Sequence, residues 1–199
     1  MALKGADESV GRIIARPFTT DKDGRFVREA NRKDFSLTPP KSLLPERIKG
    51  TGLDSIAIGK INDIFSGIGF TKTQPTHSNE EGMSFLDKYV GEDFSGLCFA
   101  NLVDFDMLWG HRRDALAYAN GLNDFDAWLA GFITKLRDDD TLIITADHGC
   151  DPGFDRSTDH TREYVPYIEY SPKIVPENYG TVDGFGFVSN RVFELLDIK

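Results

Sequence analysis

Two stretches of the chain end in side chains that bind cations. ANLVDFDMLWGHRRD carries Asp104, Asp106 and, five residues on, His111, while ITADHGCDPGFDRSTDHTREY carries Asp147, His148 and Asp151, then Asp159 and His160. Carboxylate oxygens mixed with imidazole nitrogens suit Zn, Mn or Fe, whereas an all-oxygen set would favour Mg or Ca. Two such ions a few ångströms apart clamp both the attacking and the leaving oxygen of a phosphoryl transfer. Taken singly, each residue has a plainer use. A strand-end aspartate such as Asp104 or Asp151 often caps the next helix, and a lone histidine is more often hydrogen bonded at the surface. Convergence gives the cluster its weight: three of the four histidines, His111, His148 and His160, lie in these two stretches with carboxylates beside them. The fourth, His77, falls in a polar loop and is set aside.

The elements around these residues must deliver them to one place. TLIITA and GLCFANLVDF read as apolar strands, so both ligand-bearing stretches begin where a strand ends. SIAIGK reads as a further strand, EEGMSFLDKYV as a helix, YVPYIEY as a late strand and GFVSNRVFELLDI as a final helix. Between the two ligand stretches, Phe125, Trp128, Leu129, Phe132, Ile133 and Leu136 recur at helical spacing, with Asn123 or Asp124 as the expected N-cap. Strands alternating with helices predict an α/β fold with a mostly parallel sheet and helices on both faces. Ligands of such sheets gather beyond the carboxyl ends of the strands. Ahead of this region, SVGRIIARPF has a β-branched run, TTDKDGRF carries an Asp-Gly turn signal, and NRKDFSLTPPKSLLPERIKGTG, with three prolines, reads as a linker.

Composition narrows the functional classes. The 199 residues hold 40% hydrophobic side chains, enough for one sizeable core, and 23 basic against 32 acidic residues give a net charge of -9. That balance argues against a nucleic-acid binder but leaves room for a small anionic substrate held by local cations. Cys98 and Cys150 have no CxxC spacing and read as thiols of a reducing, cytoplasmic location. No apolar run approaches a membrane span, and MALKGADESV lacks a signal peptide's apolar stretch, so no membrane partner is expected.

At its motifs the chain resembles the phosphopentomutases of the alkaline phosphatase superfamily. ANLVDFDMLWGHRRD, ITADHGCDP and STDHTREYVP carry the likeness, supported by VGRIIARPF, ANRKDFSL and IAIGKINDIFSGIG. The resemblance implies an alkaline phosphatase-like core of which residues 46–199 are the C-terminal part, preceded by a partial cap segment and linker over 1–45. It implies interconversion of ribose 1-phosphate and ribose 5-phosphate, and of the 2-deoxy pair, at a site with two Mn2+ ions, other divalent metals being possible. Asp106, His111 and His160 match the ligands of one ion, and Asp147 and His148 part of the set for the other. Arg12 and Ile14 of GRII, Arg32 of NRKD and Lys60 of IGK match substrate-contacting positions. The family's N-terminal half carries a further aspartate ligand and a threonine nucleophile, and neither has a counterpart here. Thr158 and Thr161 match the metal-binding loop, not the nucleophile. The resemblance therefore implies a chain inactive alone, with a missing N-terminal half as partner or self-association through an exposed core. Two further readings stay open: a compact metal-dependent phosphatase or phosphodiesterase, and a noncatalytic metal- or sugar-phosphate-binding half of a split protein.

Overall fold

In the computed structural model, which describes residues 12–28, 33–36, 38, 43–157 and 159–199, the β-branched run RIIA forms β1 (Arg12–Ala15). The Asp-Gly signal becomes the turn of a hairpin between β2 (Phe18–Thr20) and β3 (Phe26–Arg28). Asp21 closes that turn, its carboxylate accepting the Asp23 and Arg25 amides at 2.9 Å each, while Gly24 takes the left-handed φ of 75°. β4 (Lys33–Ser36) then pairs antiparallel with β1, Arg12 opposite Ser36 and Ile14 opposite Asp34. Arg32 lies outside the described residues.

The stretch expected as linker contains α1 (Leu44–Gly50), with a proline in its first turn where no helical amide is lost. Ile48 is fully buried against Val192 and Phe193, so α1 belongs to the core and begins two residues before the expected boundary at 46. A proline-rich composition hides such a helix, because the same proline that punctuates a linker also starts a helix.

The sheet forms next. β5 (Asp54–Ile58) lies between β6 (Lys72–Gln74) and β7 (Gly96–Ala100), parallel to both. Alternation along β5 splits its contacts between two layers. Ile56 and Ile58 pack on Phe85, Leu86 and Tyr89 of α3 (Asn79–Val90), while Ala57 meets Ile61 of the short α2 (Ile61–Ile64) and Phe70 on the other side. Helices thus cover both faces, as the alternating pattern predicts. Each fully buried isoleucine contributes roughly 1.5–3 kcal/mol.

The long helix α4 (Ala115–Phe132) starts well before the expected Asn123 or Asp124, capped instead by Asp114, whose carboxylate accepts the Ala117 amide at 2.9 Å. Its first turns are alanine-rich, good helix formers that give no amphipathic signal, and Leu116 and Leu122 stay exposed. A 3-10 turn (Ile133–Lys135) follows, then β8 (Leu142–Thr145), β9 (Tyr167–Tyr170) and α5 (Gly186–Leu195). β8 and β9 pair antiparallel as a separate two-stranded sheet. Leu97 of β7 and Ile143 of β8 pack on the same cluster of α1 and α5 residues, yet among the described residues no ladder joins the two strands. No described helix is long and apolar enough to cross a membrane.

Candidate metal centre

The polypeptide leaves β7 through Asp104, and that residue is structural. Its buried carboxylate accepts the Asn79 amide at 2.7 Å while its own amide donates to the Asn79 side chain at 2.9 Å, which clasps the loop to the start of α3. The next residues, Phe105–Gly110, form one π-helical turn, closed by the His111 amide donating to Asp106 O at 3.1 Å. That wider turn decides the chemistry. Five residues of α-helix rotate through about 500° and would leave Asp106 and His111 roughly 140° apart. An i→i+5 turn closes after five residues and brings both side chains to one face. His111 Nε2 accordingly lies 3.2 Å from Asp106 Oδ1.

The second stretch arrives from β8. Gly149 and Thr161 form an isolated antiparallel bridge that sets the His148 and His160 segments side by side. Thr161 Oγ1 accepts the Asp151 amide at 2.7 Å and donates to Glu163 Oε1 at 2.8 Å, so its hydroxyl is spent on the loop. That hydrogen bond, with backbone donors behind it, holds the Glu163 carboxyl below its usual range. Asp151 caps its own turn by accepting the Gly153 amide at 2.7 Å. Close approach needs two glycines: a Cβ on Gly149 would come within 2.5 Å of the Glu163 carboxylate, and one on Gly110 would run into Cys150. Cys150 stays a protonated thiol, since burial and then the Asp106 charge push it up.

Four side chains meet. His160 Nε2 lies 3.3 Å from Asp106 Oδ1, the rings of His148 and His160 stack at 3.6 Å, and His111 and His160 stand 5.0 Å apart. Ligand atoms of Asp106, His148 and His160 all fall within 4.8 Å of one another. Asp106 Oδ1 is buried and has no hydrogen-bond partner. A buried carboxylate oxygen facing two imidazole nitrogens without a hydrogen bond suits a shared cation. Donors bonded to one ion at about 2.1 Å stand about 3.0–3.4 Å apart, the range of both Asp106 separations. His148 adds a second sign of fit. Its Nδ1 sits 2.9 Å from Gly149 O, which only accepts, so in the neutral ring, the form that binds a cation, the proton is on Nδ1 and the lone pair on Nε2.

The structure therefore gathers Asp106, His111, His148 and His160, and places Asp147 at the margin, 65% exposed with Oδ1 3.7 Å from His148 Nε2. His148, which the resemblance allots to the other ion, here stands with Asp106 and His160. Lys60 is half-buried at the carboxyl end of β5, following Gly59, whose φ is 74° and whose absent Cβ would approach Asn101 O to 2.5 Å. It shares that edge of the sheet with the segment leaving β7. Arg12 and Ile14 are placed only as positions in β1, and Thr158, like Arg32, lies outside the described residues. His77 is exposed, and its amide donates to Glu81 at 2.7 Å. Sequence reasoning missed Gly110, Gly149 and Arg113. The glycines flanking His111 and His148 were the available signal.

Residues 31–199 match the model of the metalloenzyme superfamily. The chain is 50% identical over 190 residues to a phosphopentomutase of Clostridium tetani (strain Massachusetts / E88), covering 95% of this chain and 48% of that protein. It is 48% identical over 176 residues to one of Limosilactobacillus reuteri (strain DSM 20016), covering 88% and 44%, and 45% identical over 194 residues to one of Clostridioides difficile (strain 630), covering 97% and 50%. The chain spans about half the length of the curated relatives it matches.

Proposed function

We propose that this chain, which belongs to the metalloenzyme superfamily, supplies part of the metal-binding core of a phosphopentomutase, an intramolecular phosphotransferase that interconverts ribose 1-phosphate and ribose 5-phosphate and their 2-deoxy forms. One observation carries the reading: Asp106 Oδ1, buried and without a hydrogen bond, faces His111 and His160 nitrogens in a chain half identical to a phosphopentomutase. Asp106, His111 and His160 hold one ion, and Asp147 and His148, whose ligand atoms lie 3.7 Å apart, join ligands from outside this chain in holding a second. Mixed oxygen and nitrogen donors support manganese. Bound there, divalent ions supply positive charge that stabilises phosphoryl oxygens.

The chain's own side chains bind and orient. Lys60, together with Arg12, Ile14 and Arg32 of the cap segment over 1–45, contacts the sugar phosphate, arginine favouring it through paired hydrogen bonds. The phosphoryl acceptor comes from elsewhere, a reading supported by Thr161, whose hydroxyl is engaged on both sides. What complements the chain is the relatives' remaining length. β7 and β8 support it, because each has an edge with no described strand beside it while both pack on one helical layer. The unpaired Cys98 and Cys150 support a reducing, cytoplasmic setting.

Phosphorus NMR of ribose 5-phosphate with the pure chain and Mn2+ tests the reading. The expected result is no turnover by the chain alone, and ribose 1-phosphate once the complementary half of the C. tetani relative is added as a separate polypeptide. Ribose 1-phosphate from the chain alone would place the nucleophile here. Release of inorganic phosphate from an aryl phosphate would make it a hydrolase.

A further inference from the structure

Arg113 ends the first ligand segment in an unusual way. It follows His111 by two residues, and its backbone takes a φ of 57°, a left-handed value uncommon for any residue but glycine. The guanidinium then reaches the other ligand stretch. Nη1 donates to Asp151 O at 2.9 Å, and Nη2 donates to Asp159 O at 2.8 Å and to Ser157 O. Those three carbonyls bracket the loop that separates His148 from His160. Asp151 comes three residues after His148, and Asp159 immediately precedes His160, whose amide is in turn accepted by the Asp159 carboxylate at 2.9 Å.

We infer that Arg113 is a positioning residue for the metal centre, a side chain of the His111 segment that binds the backbone after His148 and before His160 and so fixes those two stretches against His111. The inference rests on the metal reading of that site. Arginine suits the task for a geometric reason: its planar fork carries several donors in fixed directions, so it engages well-separated carbonyls at once. A lysine ammonium on a flexible stem holds no such array. The Thr161 hydroxyl also accepts the Asp151 amide, which ties the start of the span to the bridge strand. Between there and Asp159, the other hydrogen bonds of the described residues are those to the guanidinium and short turns within the loop.

Mn2+ binding followed by electron paramagnetic resonance, together with amide hydrogen exchange, tests this on the full chain. Arg113→Gln should weaken Mn2+ binding about 10- to 100-fold, the range for losing an outer partner of a metal ligand. It should speed exchange of the amides over 151–161 while leaving those of β5 unchanged. Arg113→Lys should recover only part of the affinity. Wild-type affinity in Arg113→Gln, or unchanged exchange over 151–161, overturns the assignment. If the wild-type chain takes up no Mn2+, the metal reading fails by itself, and the exchange comparison still decides whether Arg113 holds the loop.

Discussion

Two carboxylates beside the β8–β9 region are buried in opposite ways. Glu169 of β9 has a side chain only 3% exposed, and every lone pair is answered: Arg191 of α5 reaches it with Nε and Nη2 at 2.7–3.1 Å, and the Tyr167 hydroxyl donates at 2.7 Å. Asp106 keeps 30% of its side-chain surface, yet its Oδ1 is buried with no hydrogen bond and faces two imidazoles. The Glu169 carboxylate is spent on the fold, whereas Asp106 Oδ1 keeps its lone pairs for the cation proposed above. Partner satisfaction separates them better than depth does.

Removing the charge should therefore have opposite consequences at the two sites, with the larger effect on stability at Glu169. Glu169→Gln leaves the half-buried Arg191 guanidinium with only the exposed Glu194 carboxylate at 3.1 Å and should cost up to about 3–5 kcal/mol in denaturant unfolding, the range for breaking a buried pair from one side. The pH dependence follows the same logic. Arg191 holds Glu169 below its ordinary value of 4.5, so the unfolded chain binds the proton more readily. The pair's stabilisation is full above that value and is lost as pH falls through the lowered folded value. Glu169→Gln should flatten this acid limb, and an unchanged limb would remove the pair from the account.

Asp106→Asn should read the other way. Without metal the variant should unfold within about 1 kcal/mol of the wild type, because no hydrogen bond to Oδ1 is lost. Mn2+ at about 100 times its dissociation constant should stabilise the wild type by about 2.7 kcal/mol and the variant not at all. A metal-free variant destabilised as strongly as Glu169→Gln would make Asp106 a structural carboxylate and break the contrast.

How much of this was legible depends on which interactions are local. Residue type and strand-end position made Asp106, His111 and His148 candidates, because apolar runs such as TLIIT announce where a strand stops, and residue type alone added His160. The geometry joining them was not legible. Counting along an α-helix separates Asp106 from His111, and only the π-helical turn unites them. The alanine-rich start of α4 has propensity without periodicity, so the expected N-cap fell nine or ten residues late. Arg113 reads as one more surface cation until its carbonyl partners, 38 to 46 residues away in the chain, are seen.

Volume tests the Asp106 side without touching charge. Gly110 is buried where the two ligand segments cross, and a Cβ there would collide with Cys150 and sit 2.7 Å from Phe105 O. Gly110→Ala should cost about 1–3 kcal/mol by overpacking. It should also weaken Mn2+ binding by spreading His111 from His160, while the acid limb set by Glu169 stays as it was. Loss of stability with unchanged Mn2+ affinity would mean that the ligands tolerate the displacement, and that the site is less rigid than the crossing implies.

Asp87 supplies the mild end of the scale. Its carboxylate has partners, as Glu169 does: Lys135 at 2.6 Å and the Trp128 indole at 3.0 Å, and they hold it below its ordinary range although burial pushes the other way. Its surroundings differ, since the Asp87 and Lys135 side chains are 34% and 48% exposed. Water then competes for both ions, and the pair counts for about 0.2–1 kcal/mol. Lys135→Met keeps an unbranched apolar stem and removes the charge, so unfolding should shift by that small amount and the shift should shrink in high salt. A loss approaching that of Glu169→Gln would show that hydrogen-bond count alone, without burial, sets what a carboxylate contributes, and the distinction between the satisfied and the waiting carboxylate would need no reference to depth at all.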